Sequence, residues 1–219
     1  VLGAHLSYVE MICPLCFSDG KEFYSNGERV YLECSNCKGI FVRREDLPDA
    51  DKEKERYLSH NNDVNDLRYR EFVSPIVRSV VENFDPQDHV GLDFGAGTGP
   101  VITKILSELD YKISAYDPFF LPDADLLKNS YDFIACCEVI EHFQNPAKEF
   151  ELLRSLLIRG GCLICMTDIY RPTIDFGNWY YKNDPTHVFL YREHTFKYIK
   201  EAFRFSGVKI EKRLITFTS

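Results

Sequence analysis

The sequence predicts an α/β fold: a doubly wound, largely parallel sheet with helices on both faces, joined to a small cysteine-stapled ribbon at the amino end. Three observations carry this reading. A strand, a glycine turn and a helix follow one another between Val90 and Leu109. Strand-length apolar runs then alternate with helical periods to the carboxyl end. Two Cys-x-x-Cys pairs stand ahead of all of this. A chain of 219 residues has room for one full-sized domain and a small one.

In chain order, Cys13-Pro14-Leu15-Cys16 and Cys34-Ser35-Asn36-Cys37 come first, 17 residues apart. Each two-residue gap lets both sulfurs of a turn face one ion, and four thiolates satisfy the tetrahedral preference of Zn²⁺. Residues 21–33 between them read as a hairpin turning at Asn26-Gly27. A unit this small lacks a core of its own and needs such a staple. Disulfides are the alternative, and they suit a reducing compartment badly. Four cysteines leave no open coordination position, so the zinc is expected to be structural. The other four, Cys136, Cys137, Cys162 and Cys165, read as buried free thiols, because strand neighbours one or three apart face opposite sides. Residues 1–45 are thus assigned to a zinc-ribbon-like domain, with Met11 a candidate native start inside it.

Residues 46–68 are dense in charge and amide groups and are assigned to a linker or lid, helical over about 49–59. Ser74-Pro75 then reads as a helix start, with Ile76, Val77, Val80, Val81 and Phe84 on its apolar stripe. The main domain is placed at 69–219. Its first strand carries Val90, Leu92 and Phe94 in alternation and ends at Asp93 and the glycines 95, 97 and 99. Pro100 suits a first helical position, where its missing N–H costs nothing. This construction lets a ligand approach the backbone at a helix amino end. A second strand, 112–116, runs into Asp117, and a third, 131–137, runs into Glu138-Val139-Ile140-Glu141-His142. Asn145-Pro146 caps a helix, and a further strand begins near Leu157. Residues 169–192 are rich in aromatic residues, a helix is expected near 194–206, and strands at 208–210 and 214–217 close the chain.

The glycine spacing Asp93-x-Gly95-x-Gly97-x-Gly99 differs from the Gly-x-Gly-x-x-Gly of dinucleotide folds. With the Tyr131–His142 segment and Leu156-Leu157-Ile158-Arg159-Gly160-Gly161-Cys162-Leu163-Ile164, it resembles the motif set of class I S-adenosylmethionine-dependent methyltransferases. The resemblance covers roughly residues 88–168 and implies a Rossmann-like sheet. It also implies S-adenosylmethionine as cofactor, contacted by Asp93, Gly95, Ala96, Gly97, Gly99, Asp117, Pro118, Phe119, Cys137 and Glu138, with Asp117 on the ribose hydroxyls. One departure stands out: only 14 residues separate Asp117 from Asp132, so the region between the family's second and fourth strands is shortened. The adenine is then expected against Phe119 or Phe120, with Asp125 a weaker candidate for its amino group. The family often covers the cofactor with a preceding segment, which singles out Tyr57, His60, Asn61 and Tyr69. The aromatic connection could equally form an acceptor pocket or pack as a loop over the sheet.

His187, in Asp184-Pro185-Thr186-His187, and His142 are the candidate catalytic residues, since histidine transfers protons near neutral pH. Glu138 is expected to line the cofactor pocket, and Glu141 to lie at the surface. The formal net charge of −8 argues against a broad nucleic-acid face, and residues 1–50 carry five Lys/Arg against eight Asp/Glu. A small-molecule methyl acceptor is favoured. An rRNA or tRNA substrate read by the ribbon, or a non-catalytic S-adenosylmethionine-binding protein, is the alternative. With no apolar run of membrane-spanning length and no signal-peptide pattern, a cytoplasmic location is expected.

Overall fold

The computed structural model describes residues 11–59 and 63–219, so residues 1–10 and 60–62, His60 and Asn61 among them, lie outside the described residues. The larger sheet has six strands. β4 (Val90–Phe94), β5 (Lys112–Tyr116), β6 (Tyr131–Cys137) and β7 (Leu157–Met166) are parallel, while β9 (Gly207–Glu211) and β10 (Leu214–Thr218) are antiparallel, in the order β5-β4-β6-β7-β10-β9. The short connection from Asp117 to Asp132 holds one 3₁₀ turn, Leu126–Lys128, and no strand, leaving β5 at the sheet edge.

Helices cover both faces because the strands alternate. On β6, Phe133 and Ala135 face α2 (Leu67–Asn83) and α3 (Val101–Glu108), packing with Val73, Ile76, Val80, Ile102 and Leu106. Ile134 and Cys136 face α4 (Pro146–Ser155) and α5 (Glu193–Ala202) through Phe150, Leu153, Phe196 and Ile199. The paired cysteines divide accordingly: Cys136 and Cys165 belong to one core cluster, and Cys137 and Cys162 pack on the other.

The helix expected to start at Ser74-Pro75 begins instead at Leu67, capped by the Asp66 carboxylate on the Arg68 N–H, with Pro75 inside it. Proline there removes one intrahelical bond. The buried stripe explains why the helix continues: Val73 is fully buried two residues upstream and is in phase with Ile76, Val77 and Val80.

The amino-terminal sheet pairs β1 (Gly20–Ser25), β2 (Val30–Cys34) and β3 (Ile40–Val42), all antiparallel. Its fourth strand comes from elsewhere. β8 (Phe189–Leu190) pairs with β3, and Leu15, Leu32 and Phe41 share a core cluster with the large sheet. Between the two lies α1 (Ala50–Leu58), capped by Asp49 on the Lys52 N–H. No helix among the described residues is long and apolar enough to cross a membrane.

Candidate functional site

The site begins where β4 stops. Gly95 and Gly97 take φ of +76° and +63°, values that L side chains rarely adopt. The Gly95 and Ala96 N–H groups both donate to the Tyr116 carbonyl, at 2.8 and 3.1 Å, tying the turn to the end of β5. Asp117 follows directly and accepts the Gly97 N–H at 2.9 Å on Oδ2. Its Oδ1 accepts the Phe119 and Phe120 N–H groups at 2.9 and 3.1 Å. One carboxylate thereby shapes both loops that flank the opening.

Asp93 and Gly99, expected among the cofactor contacts, stand outside the wall. The Asp93 side chain turns under the loop, where Oδ2 accepts the Thr103 N–H at 3.1 Å and its hydroxyl at 2.9 Å. It so satisfies a donor in the first turn of α3, whose own flanking residue, Pro100, offers no side-chain cap. Gly99 spends its carbonyl on the Val101 N–H, at 2.8 Å, at the entrance to the same helix. Burial raises the Asp93 carboxyl from its ordinary 3.8 to about 6, against the Thr103 hydrogen bonds. The folded chain therefore keeps a proton that the unfolded chain releases between those two values. Stability is expected to fall by about 3 kcal/mol as the pH rises through that window. Urea unfolding across it checks this, and Asp93→Asn is expected to remove that part of the slope.

Beyond the turn lies a cavity of about 1050 Å³. Gly95, Ala96, Gly97 and Thr98 form one wall together with Asp117, Pro118, Phe119 and Phe120; Cys137, Glu138 and Val139 at the end of β6 form its floor. Glu53, Arg56 and Tyr57 of α1 and Tyr69 and Phe72 of α2 close it from above. The Tyr57 ring lies 5.7 Å from that of Phe119 and 5.3 Å from that of His142. Asp125 takes no part in the wall; its exposed carboxylate pairs with Lys128 at 2.6 Å.

The opposite wall carries Tyr180, Tyr181, Asn183, Asp184, His187 and Arg213. Arg56 closes α1 onto it through an ion pair with Asp184 at 2.7 Å. Although burial pushes the Asp184 carboxyl up, Arg56 and Thr186 hold it well below the usual carboxylate range.

Glu141 is fully buried, not at the surface, because the Ile140–His142 turn that follows β6 folds it inward beneath the cavity. It accepts a hydrogen bond from the Tyr181 hydroxyl, which also lies 3.2 Å from Glu138 Oε2 and 2.9 Å from Thr167 Oγ1. Glu138 is held at a φ of +52° and pairs with Arg213 at 2.8 Å. Burial pushes its carboxyl up to about 7 despite the arginine. His187 Nδ1 lies 2.7 Å from the Tyr181 carbonyl and His142 Nδ1 lies 3.0 Å from that of Thr186. A carbonyl only accepts, so both Nδ1 atoms carry the proton and both Nε2 atoms hold lone pairs when the rings are neutral. Burial lowers the His187 value to about 4, which keeps that ring neutral. The two rings stand 4.7 Å apart.

Sequence reasoning missed Arg213, Asp168, Thr167 and Arg56. Arg213 joins the site only because the β9–β10 turn brings it beside Glu138 and Asp168, at 2.8 Å from each. No local pattern announces that.

At the amino end, Cys13 and Cys37 Sγ are 3.6 Å apart and Cys16 and Cys34 Sγ 3.2 Å apart, and all four lie within 4.8 Å of one another. A tetrahedron with 2.3 Å bonds sets sulfurs about 3.8 Å apart, so the group fits one zinc ion. Residues Phe17 and Lys38, each following a knuckle, turn the chain back with positive φ of 58° and 61°. Most of the aromatic connection packs on this ribbon and does not line the cavity: Tyr170 and Phe176 meet Phe23 at 5.7 and 5.0 Å, and Trp179 joins the same cluster. Arg29 donates to the carbonyls of Asp184, Pro185 and His187 at 3.2, 2.8 and 3.3 Å. The Tyr31 hydroxyl donates to that of Lys182 at 2.8 Å. The ribbon thus grips the backbone that carries His187.

Comparison with known proteins adds a family. The family described as "Methyltransferase domain" matches residues 67–210. Solved structures similar to this chain include magnesium protoporphyrin IX methyltransferase from Synechocystis PCC 6803 with bound SAM, at a TM-score of 0.51 and 16% identity over 80% of this chain and 94% of that one. A SAM-dependent methyltransferase from Archaeoglobus fulgidus gives 0.52 and 24% over 65% and 72%. Human N-acetylserotonin methyltransferase in complex with SAM gives 0.52 and 14% over 69% and 53%. At these identities the likeness shows the fold. No curated protein matches the chain.

Proposed function

This chain belongs to the methyltransferase-domain family, as a class I S-adenosylmethionine-dependent methyltransferase, and from that premise we propose that it methylates a small-molecule acceptor held against His142 and His187. A single observation carries the proposal: one cavity has the glycine turn on one wall and two histidines with Nε2 lone pairs on another. S-adenosylmethionine, when bound, supplies an electrophilic methyl group and a good leaving group.

The chain's own residues do the rest. Gly95, Ala96 and Gly97 give close backbone approach for the methionine part, and Asp117 Oδ2 retains one acceptor site beyond the three loop hydrogen bonds for a ribose hydroxyl. Pro118, Phe119 and Tyr57 line the cavity where they would enclose the adenine, and Cys137 and Glu138 would meet the cofactor from the floor. α1, latched by Arg56 to Asp184, excludes water from the line of transfer. At the acceptor end the histidine Nε2 atoms engage the heteroatom that receives the methyl group and draw off its proton. Zinc at Cys13, Cys16, Cys34 and Cys37 keeps the ribbon folded and takes no part in transfer. The acidic balance of the chain favours a small acceptor over RNA.

Calorimetry with S-adenosylhomocysteine, with NAD as control, tests the cofactor half. Micromolar binding of the former alone is expected, and binding of neither refutes the reading. For the acceptor half, His187→Ala is expected to lower kcat at least about 100-fold while leaving S-adenosylhomocysteine affinity within twofold. Unchanged turnover removes His187 from the chemistry.

A further inference from the structure

We propose that Glu141, His142 and His187 bind a divalent cation of the manganese-to-zinc range, which takes an acceptor oxygen as a further ligand. The proposal rests on the acceptor end assigned above and has those histidines ligate an ion in place of taking the acceptor proton themselves. A ring nitrogen from each histidine and a carboxylate oxygen of Glu141 lie within 4.8 Å of one another, and His187 Nε2 is 3.9 Å from Glu141 Oε1. An ion with bonds of about 2.0–2.2 Å reaches across such a gap with modest inward rotation of the side chains.

Three further features belong to a ligand set. Each histidine donates Nδ1–H to a backbone carbonyl, the tether that fixes the tautomer and points the other nitrogen's lone pair outward. Glu141 is fully buried: its Oε1 faces His187 and accepts from Tyr181, while its Oε2 has no hydrogen-bond partner. A buried carboxylate with one oxygen unsatisfied is costly, and a cation held by the other oxygen offsets its charge. Finally, the Tyr181 hydroxyl donates to Oε1, the oxygen that faces His187, and so orients it as an outer partner orients a metal ligand.

The donor set also selects the ion. Two imidazoles and one carboxylate suit first-row divalent metals better than Ca²⁺ or Mg²⁺, which prefer oxygen throughout. Both histidines line the cavity, so the remaining coordination positions face the space where the acceptor must sit. A cation there would lower the pKa of a bound hydroxyl, whose proton passes to solvent because both Nε2 lone pairs are spent on the ion, and would hold the resulting oxygen toward the methyl donor. An acceptor with a hydroxyl or carboxylate oxygen free to coordinate is the chemistry this predicts.

Mn²⁺ is the probe, because it leaves a thiolate site to zinc. The full chain, its ribbon zinc verified by metal analysis, is titrated with Mn²⁺ while the free-ion paramagnetic resonance signal is followed. One Mn²⁺ per chain is expected, with binding weakened at least about tenfold in His142→Ala and in Glu141→Gln. S-adenosylhomocysteine affinity, measured alongside, shows that each variant is folded; should Glu141→Gln fail to fold, His142→Ala carries the comparison. An undiminished free-ion signal with the unaltered protein overturns the proposal, as does equal binding by a folded variant. S-adenosylhomocysteine binding without Mn²⁺ binding refutes only the metal site, whereas Mn²⁺ binding without S-adenosylhomocysteine binding refutes only the cofactor assignment.

Discussion

Gly95→Val is expected to weaken S-adenosylhomocysteine binding at least about 100-fold, close to abolition in calorimetry. Two costs coincide at this position. The φ of +76° places an L residue in the left-handed region, which costs roughly 1–2 kcal/mol and more for a β-branched side chain. A Cβ there would also stand 2.6 Å from Val139 Cγ2 and 2.7 Å from its Cγ1, closer than packed carbons approach. Relief requires the turn to move, and movement breaks the Gly95 and Ala96 hydrogen bonds to Tyr116 that set its shape. Gly160→Ala separates strain from crowding, since its φ is +83° but nothing lies within 4 Å of the added carbon. It is expected to lower stability by about 1 kcal/mol and leave ligand affinity unchanged. Wild-type affinity in Gly95→Val would remove the glycine turn from the binding site.

Cys34→Ser is expected to release zinc, lower the melting temperature by at least about 10 °C and reduce methyl transfer by about two orders of magnitude. The thermal effect is large because the ribbon has little core of its own and shares one: Leu15, Leu32 and Phe41 pack into the cluster that holds Leu92, Ile134 and Leu163. The effect on activity follows from the grip of Arg29 and Tyr31 on the His187 backbone. Metal analysis, differential scanning calorimetry and a turnover assay check the three parts separately. Arg29→Ala gives the complement, with zinc retained, stability little altered and kcat lowered. If Cys34→Ser were zinc-free yet fully active, the ribbon would be an appendage.

The parts legible in the sequence were those set by local rules. The strand–turn–helix at 90–108 was readable because alternation, positive-φ glycines and Pro100 are each local requirements. The convergence of Cys13, Cys16, Cys34 and Cys37 was readable from spacing alone. The parts that escaped depend on segments distant in the chain. Pro75 signals a start locally, yet the stripe it interrupts is held by packing against α3 and β6. Glu141 looks like a surface acid in Glu-His, and only the return of Tyr181 beneath it explains its burial. Tyr170, Phe176 and Trp179 have the composition of a ligand pocket, yet Tyr170 and Phe176 pack on the ribbon's Phe23 and Tyr31, and Trp179 packs on Tyr170 and Phe176. Of the expected cofactor set, the residues at the turn's tip reach the cavity, whereas Asp93 and Gly99 are committed to α3.

A polypeptide leaves the ribosome from its amino end, so the four cysteines emerge before the strands of the large sheet. β1, β2 and β3 can close at that stage, but the outer edge of β3 stays bare until Phe189 and Leu190 appear. Through that interval Ile40 and Phe41 present an open strand edge, the kind that pairs with whatever chain is nearby. His187 lies two residues ahead of β8. The strand that ends the exposure of β3 is therefore the one that seats the histidine, so the nascent chain covers that edge as it places His187.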